Sequence, residues 1–137
     1  MRKLFLLVLF PLAAFCQRVP AGWNDPFPPY HIMDNVYYVG TKELASFLIV
    51  TAQGNILMNS NYESSVPVIR ASVEKLGFKF SDIKILIAGH AHPDHVEGDA
   101  LLKELTGAQV VVGRVDAPGT REFRPEGKGA PHRPAGR

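Results

Sequence analysis

Residues 81–112 read SDIKILIAGHAHPDHVEGDALLKELTGAQVVV, and this run decides the architecture. SDIKILIAG (81–89) has the short apolar density of a strand, closed by a glycine. GDALLKELTGA (98–108) reads as a helix that Gly107 ends, with Leu101, Leu102 and Leu105 as its buried side. AQVVVG (108–113) reads as the next strand. A strand, a short loop, a helix and a strand in succession indicate α/β layering, with helices packed on a sheet. Between the first strand and the helix lies HAHPDH, residues 90–95.

The stretch upstream extends the same pattern. SSVPVIRASVEKLGF (64–78) predicts a helix with readable ends. Ser64 or Ser65 can cap it, Pro67 suits its first turn, and Gly77 stops it. Val66, Ile69, Val73 and Leu76 recur at helical spacing and form one apolar face, with Arg70, Glu74 and Lys75 outward. NVYYVGT (35–41), ASFLIVTA (45–52) and GNILMNS (54–60) read as three strands, the last two joined by a hairpin at AQG. The apolar run Phe47–Val50 suggests a strand buried on both faces. Residues 17–35 hold four prolines, which forbid regular helix, and read as an extended arm laid over the body. His31, alone in that arm, reads as a structural residue.

The two ends differ from this body. MRKLFLLVLFPLAAFCQ carries a basic pair, Arg2 and Lys3, before an apolar run from Leu4 to Phe15. That run is shorter than the about 20 residues a membrane span needs, so it reads as a signal peptide, residues 1–16, cleaved near Cys16. Export to the periplasm or outside the cell follows as an expectation. Cys16 is the only cysteine, so no disulfide is expected in the mature chain. The body, 17–112, carries seven Lys/Arg against ten Asp/Glu, whereas 113–137 carries six against three. No basic stripe with interleaved aromatics calls for nucleic acid. The Gly-, Pro- and Arg-rich tail 113–137 has almost no large aliphatics and reads as disordered, or as foreign sequence after a frameshift or truncation.

The chemistry sits in His90-x-His92-x-Asp94-His95. In extended backbone, residues two apart point the same way, so His90 and His92 can converge on one ion. Pro93 stiffens and turns the loop, which leaves Asp94 and His95 for a second position beside the first. Imidazoles with one carboxylate suit zinc. Two ions roughly 3.5–4 Å apart can share a hydroxide that is nucleophilic at neutral pH. The loop also follows the carboxyl end of a strand, where α/β proteins build their sites.

HAHPDH resembles the zinc motif of the metallo-β-lactamase superfamily. The flanking text, from Trp23 and Phe27 through NVYYVGT, ASFLIVT, ILMNS and SDIKILIAG to LTGAQVVV, resembles the third subclass of metallo-β-lactamases. The resemblance implies the N-terminal half of an αββα sandwich, residues 17–112, with the zinc site at the seam between two similar halves. It implies that His90 and His92 hold a first zinc and that Asp94 and His95 hold a second. Asp94 would also orient the attacking hydroxide, a catalytic role. Trp23 and Phe27 would border the groove for a β-lactam substrate. One further histidine per zinc is expected from the absent second half. His132, the only downstream histidine, stands in the tail without matching context and is not counted as a ligand. Met58–Asn61, MNSN, departs from the Asp-containing turn common in the superfamily. The activity implied is hydrolysis of the β-lactam amide bond by the full-length parent, this chain being an inactive fragment. The alternatives are another hydrolase of the same fold, acting on an ester, thioester or lactone, and a secreted zinc-binding module without catalysis.

Overall fold

A computed structural model describes residues 19–114. The expected signal peptide, Cys16, His132 and the residues from 115 onward lie outside the described residues. The elements run β1 Tyr30–Met33, β2 Val36–Tyr38, β3 Phe47–Ile49, β4 Asn55–Met58, α1 Val66–Lys75, β5 Ile83–Ile87, α2 Pro93–Val96, α3 Asp99–Thr106 and β6 Gln109–Val111. Among the described residues the six strands form one sheet in the order β1-β2-β3-β4-β5-β6. Each of the first four is antiparallel to the next. β4, β5 and β6 run parallel, because α1 and then α3 carry the chain back between them.

The core lies between that sheet and those two helices. Val66, Ile69 and Val73 of α1 and Leu102 of α3 pack with Leu48, Leu57, Ile83 and Leu86 in one buried cluster. Leu57 and Leu86 are paired in register at its centre. Side chains alternate along a strand, so the paired row Phe47, Met58, Ile87 belongs to the opposite face. All three are only half-buried. The expectation that Phe47–Val50 is covered on both faces therefore fails: only Leu48 of this run is buried, because both crossover helices share one cluster beneath it.

Other departures have local causes. Part of the arm is a strand: β1 pairs antiparallel with β2 across a tight turn in which Asp34 is left-handed, φ 48°. The His31 ring bonds the Asp34 carbonyl at 2.9 Å and packs on Tyr37, a structural use. Ser65 does not cap α1. It sits in helical conformation within a 3₁₀ turn, Glu63–Ser65, and its hydroxyl donates to Asn24 Oδ1 in the arm. Gly77 and Gly107, both with positive φ, end α1 and α3 as the sequence predicts. Leu105 does not join the buried side of α3; it is 48% exposed, while Leu102 carries the packing. Among the described residues no helix is long and apolar enough to cross a membrane.

Candidate metal centre

β5 delivers the loop. After Ile87 the chain leaves the sheet, and His92, still extended at φ −86° and ψ 151°, becomes the cap of the single-turn helix α2. Pro93 takes the first helical position, where its missing N–H breaks no bond. The sequence predicts a stiff, turning loop here; one helical turn stands instead. It places Asp94 and His95 at the start of that turn, and the His95 N–H returns to the His92 carbonyl at 2.9 Å.

The three imidazoles crowd together. The ring of His90 lies 4.4 Å from that of His92 and 4.0 Å from that of His95, centre to centre. Asp94 Oδ2 is 3.5 Å from His95 Nε2. His95 Nδ1 is buried without a hydrogen-bond partner. Burial pushes the His95 imidazole below its ordinary value; the Asp94 carboxylate opposes this, and His90 and His92 add to it. A neutral imidazole with a free lone pair is the form that binds metal. The donor types therefore fit zinc. Among the described residues, however, no group of three or more His, Cys, Asp or Glu side chains is arranged to hold an ion. Zinc sites use three or four protein ligands, so the loop is a partial donor set.

Sequence reasoning marked Met58–Asn61 but not the bonds it makes beneath the loop. The turn Asn59–Asn61 follows β4 and is buried. Asn59 and Asn61 are left-handed, at φ 62° and 58°, a conformation asparagine tolerates. The Ser60 N–H donates to the His95 carbonyl at 3.0 Å, and its hydroxyl lies 3.3 Å from the same oxygen. The Gly98 N–H donates to the Asn61 carbonyl at 2.8 Å. A Cβ on Gly98 would stand 2.8 Å from the Ser60 carbonyl oxygen, so glycine is required there by close approach. Tyr62 stands near: burial raises its phenol, and the charges of Asp94 and Glu97 push the same way. These partners are 35 and 37 residues apart in sequence, and the local signals are the pair of asparagines flanking Ser60 and the departure of Met58–Asn61 from the turn common in the superfamily.

Asp99, at the start of α3, is a second omission. Burial pushes its carboxyl up to about 6, against the opposing hydrogen bond to Ser60. Its folded value exceeds the ordinary one of 3.8, so between about pH 4 and 6 the folded chain holds a proton that the unfolded chain has lost. Stability therefore falls as pH rises through that window. Asp99→Asn removes this cost. Urea denaturation is expected to show a gain at pH 7.5 that exceeds the gain at pH 4.5 by about 1–2 kcal/mol. An equal change at both pH values would contradict the buried carboxylate.

Trp23 and Phe27 lie in the arm. The Trp23 carbonyl accepts from Thr41 Oγ1, and Asn24 bonds Ser64 and Ser65, so this turn ties the arm to the body. Phe27 packs edge-on against Tyr30 and Tyr38. Tyr38 is on β2, three strand spacings or roughly 14 Å from β5. Phe27 also lines a cleft with Pro26, Pro29, Pro67, Val68 and Lys75, which contains none of the histidines.

No protein-family model matches the chain. Solved structures do. Native FEZ-1 metallo-β-lactamase from Legionella gormanii is 56% identical, with a TM-score of 0.68, over 69% of this chain and 36% of that one. BJP-1, a subclass B3 metallo-β-lactamase of Bradyrhizobium japonicum, is 46% identical with a TM-score of 0.69, over 72% and 37%. LRA-12, a class B3 di-zinc metallo-β-lactamase from an Alaskan soil metagenome, is 43% identical with a TM-score of 0.64, over 66% and 34%. The chain thus spans little more than a third of the length of these enzymes.

Proposed function

Since the chain belongs to the metallo-β-lactamase superfamily, with subclass B3 enzymes as structural neighbours, we propose that it forms the N-terminal, loop-bearing part of a zinc-dependent β-lactamase that opens the β-lactam amide bond. The observation that carries this reading is the crowding of three imidazoles and one carboxylate at the carboxyl end of β5. His90 and His92 bind one zinc, and Asp94 and His95 bind the other. Each ion takes its remaining protein ligand from outside residues 19–114. Bound zinc supplies Lewis acidity, which polarises a carbonyl and makes water nucleophilic near neutral pH.

The chain's own groups do the positioning. Burial favours the neutral form of His95, whose ring lies tilted at 49° to that of His90. Asp94, an acceptor only when ionised, orients the attacking water and holds its proton as the ring opens. Trp23 fixes the arm, and Phe27 meets an outlying substituent of the substrate rather than the reacting bond. Residues 1–16 direct export to the periplasm.

The test is nitrocefin turnover. The zinc-loaded 137-residue chain is expected to show no hydrolysis above the metal-free background. A fusion to the C-terminal portion of a longer subclass B3 enzyme is expected to restore turnover. An ordinary enzymatic rate from the chain alone would overturn the division of ligands. A fusion that cleaves a lactone or thioester but no β-lactam would overturn the substrate.

A further inference from the structure

We infer that the face of the sheet turned away from α1 and α3 is a docking surface for a second copy of this chain, the two sheets packing face to face as a twofold pair. The inference stands apart from the metal-binding reading of the histidine loop.

Strand register lines that face with two rows of side chains. One row crosses all six strands as Tyr30, Tyr38, Phe47, Met58, Ile87 and Val111. The other runs Met33, Val36, Ile49, Ile56 and Ile85 and ends on Gln109. Every member but Gln109 is apolar or aromatic. Lys84 is the only Lys, Arg, Asp or Glu in the six strands. It stands at the irregularity between β4 and β5, and its ammonium turns away to the Ser81 carbonyl at 2.8 Å. The packing helices belong to the other face, with Leu48, Leu57 and Leu86. Met33 is 60% exposed, Tyr30 48% and Val111 45%, and the apolar residues between them are half-buried. Tyr30 already stacks on Tyr38 at 5.4 Å, and Phe47 meets Tyr38 edge-on at 5.8 Å, so ordering this end on association costs little.

Size and symmetry choose the occupant. Monomers rarely leave a contiguous apolar patch beyond a few hundred Å². The face is five strand spacings wide, about 24 Å. With on the order of 50 Å² left to bury at each apolar side chain, one copy offers about 550 Å² and a pair buries about 1,100 Å². That passes the roughly 1,000 Å² a specific interface needs. Residues 115–137 hold only Val115 and Phe123 as large aliphatic or aromatic side chains, and the apolar run from Leu4 to Phe15 is one segment against six strands. A second copy carries the same face entire. A twofold axis through its centre, between β3 and β4, sets each face on the other, with the sheets about 10 Å apart and their strands within about 30°. Ile49 and Ile56, paired in register, then lie close to the axis.

Sedimentation velocity over a dilution series tests this on the full 137-residue chain. A metal chelator is present, so that histidines cannot bridge copies. The unaltered chain is expected to show a monomer–dimer equilibrium. Ile49→Lys sets like charges together near the axis and is expected to raise the dissociation constant at least about thirtyfold, and Ile49→Glu likewise. Mixed in equal amounts, these two variants are expected to pair again, which a folding defect would not allow. Met33→Glu, at a position already exposed, keeps the fold by circular dichroism and is expected to weaken the pair about tenfold. Leu105→Glu, at the exposed apolar position on α3, is expected to leave the pair unchanged. A monomer at every concentration would mean that a segment of the same chain, or nothing, covers the face, and would overturn the inference. Assemblies larger than a pair, or a dimer that Ile49→Lys and Met33→Glu both leave intact, would overturn it as well.

Discussion

Replacing His90, His92, Asp94 and His95 together by alanine is expected to lower zinc affinity by more than about 100-fold, beyond the ceiling for losing one supporting residue. The reason is chemical. These side chains are the imidazole and carboxylate donors that crowd at the end of β5, and the only other histidine among the described residues, His31, is engaged with Asp34 and Tyr37. The fold should survive the change. None of the four belongs to the buried cluster, and the exit of the loop is held by backbone groups of Ser60, Asn61 and Gly98. Calorimetric zinc titration beside circular dichroism separates the two effects. Unchanged affinity in a folded variant would remove the ground for every metal-based statement above.

The second large effect is on stability. Leu86→Ala is expected to cost roughly 2–5 kcal/mol, the range for truncating a buried leucine. Leu86 is fully buried, pairs in register with Leu57 on one side and Val110 on the other, and lies in the cluster with α1 and α3. Small domains are stable by only about 5–15 kcal/mol, so the variant should melt well below the unaltered chain. Its neighbour Ile85 has its own place in the ladder but is only half-buried, and Ile85→Ala should cost less than half as much. Equal losses at the two positions would place the core on both faces of the sheet.

Much of this architecture is written in local pattern. The strand, loop, helix and strand from Ser81 to Val112 are legible because β5, α3 and β6 each carry their own periodicity and glycine signals. α1 is legible for the same reason. The donors are legible because they lie within six residues. What escapes is whatever depends on a distant partner. Ser65 has the composition of a cap, yet its hydroxyl goes to Asn24, 41 residues away. Leu105 has helical spacing from Leu101 and Leu102, yet the core is filled by Leu102 and leaves Leu105 outside. The Asn59–Asn61 turn is legible only as a departure from the turn common in the superfamily, because its bonds to His95 and Gly98 cross more than 30 positions. Proline content hid β1, whose pairing depends on the left-handed Asp34 rather than on apolar alternation.

Strand order equals chain order across the whole sheet. Each β-segment finds its hydrogen-bonding partner in the segment made just before it, so loop-closure costs stay small and topology favours rapid assembly for a β-rich chain. The sheet can therefore grow one strand at a time as the polypeptide emerges. The histidine segment enters only after five strands and a helix already exist to receive it.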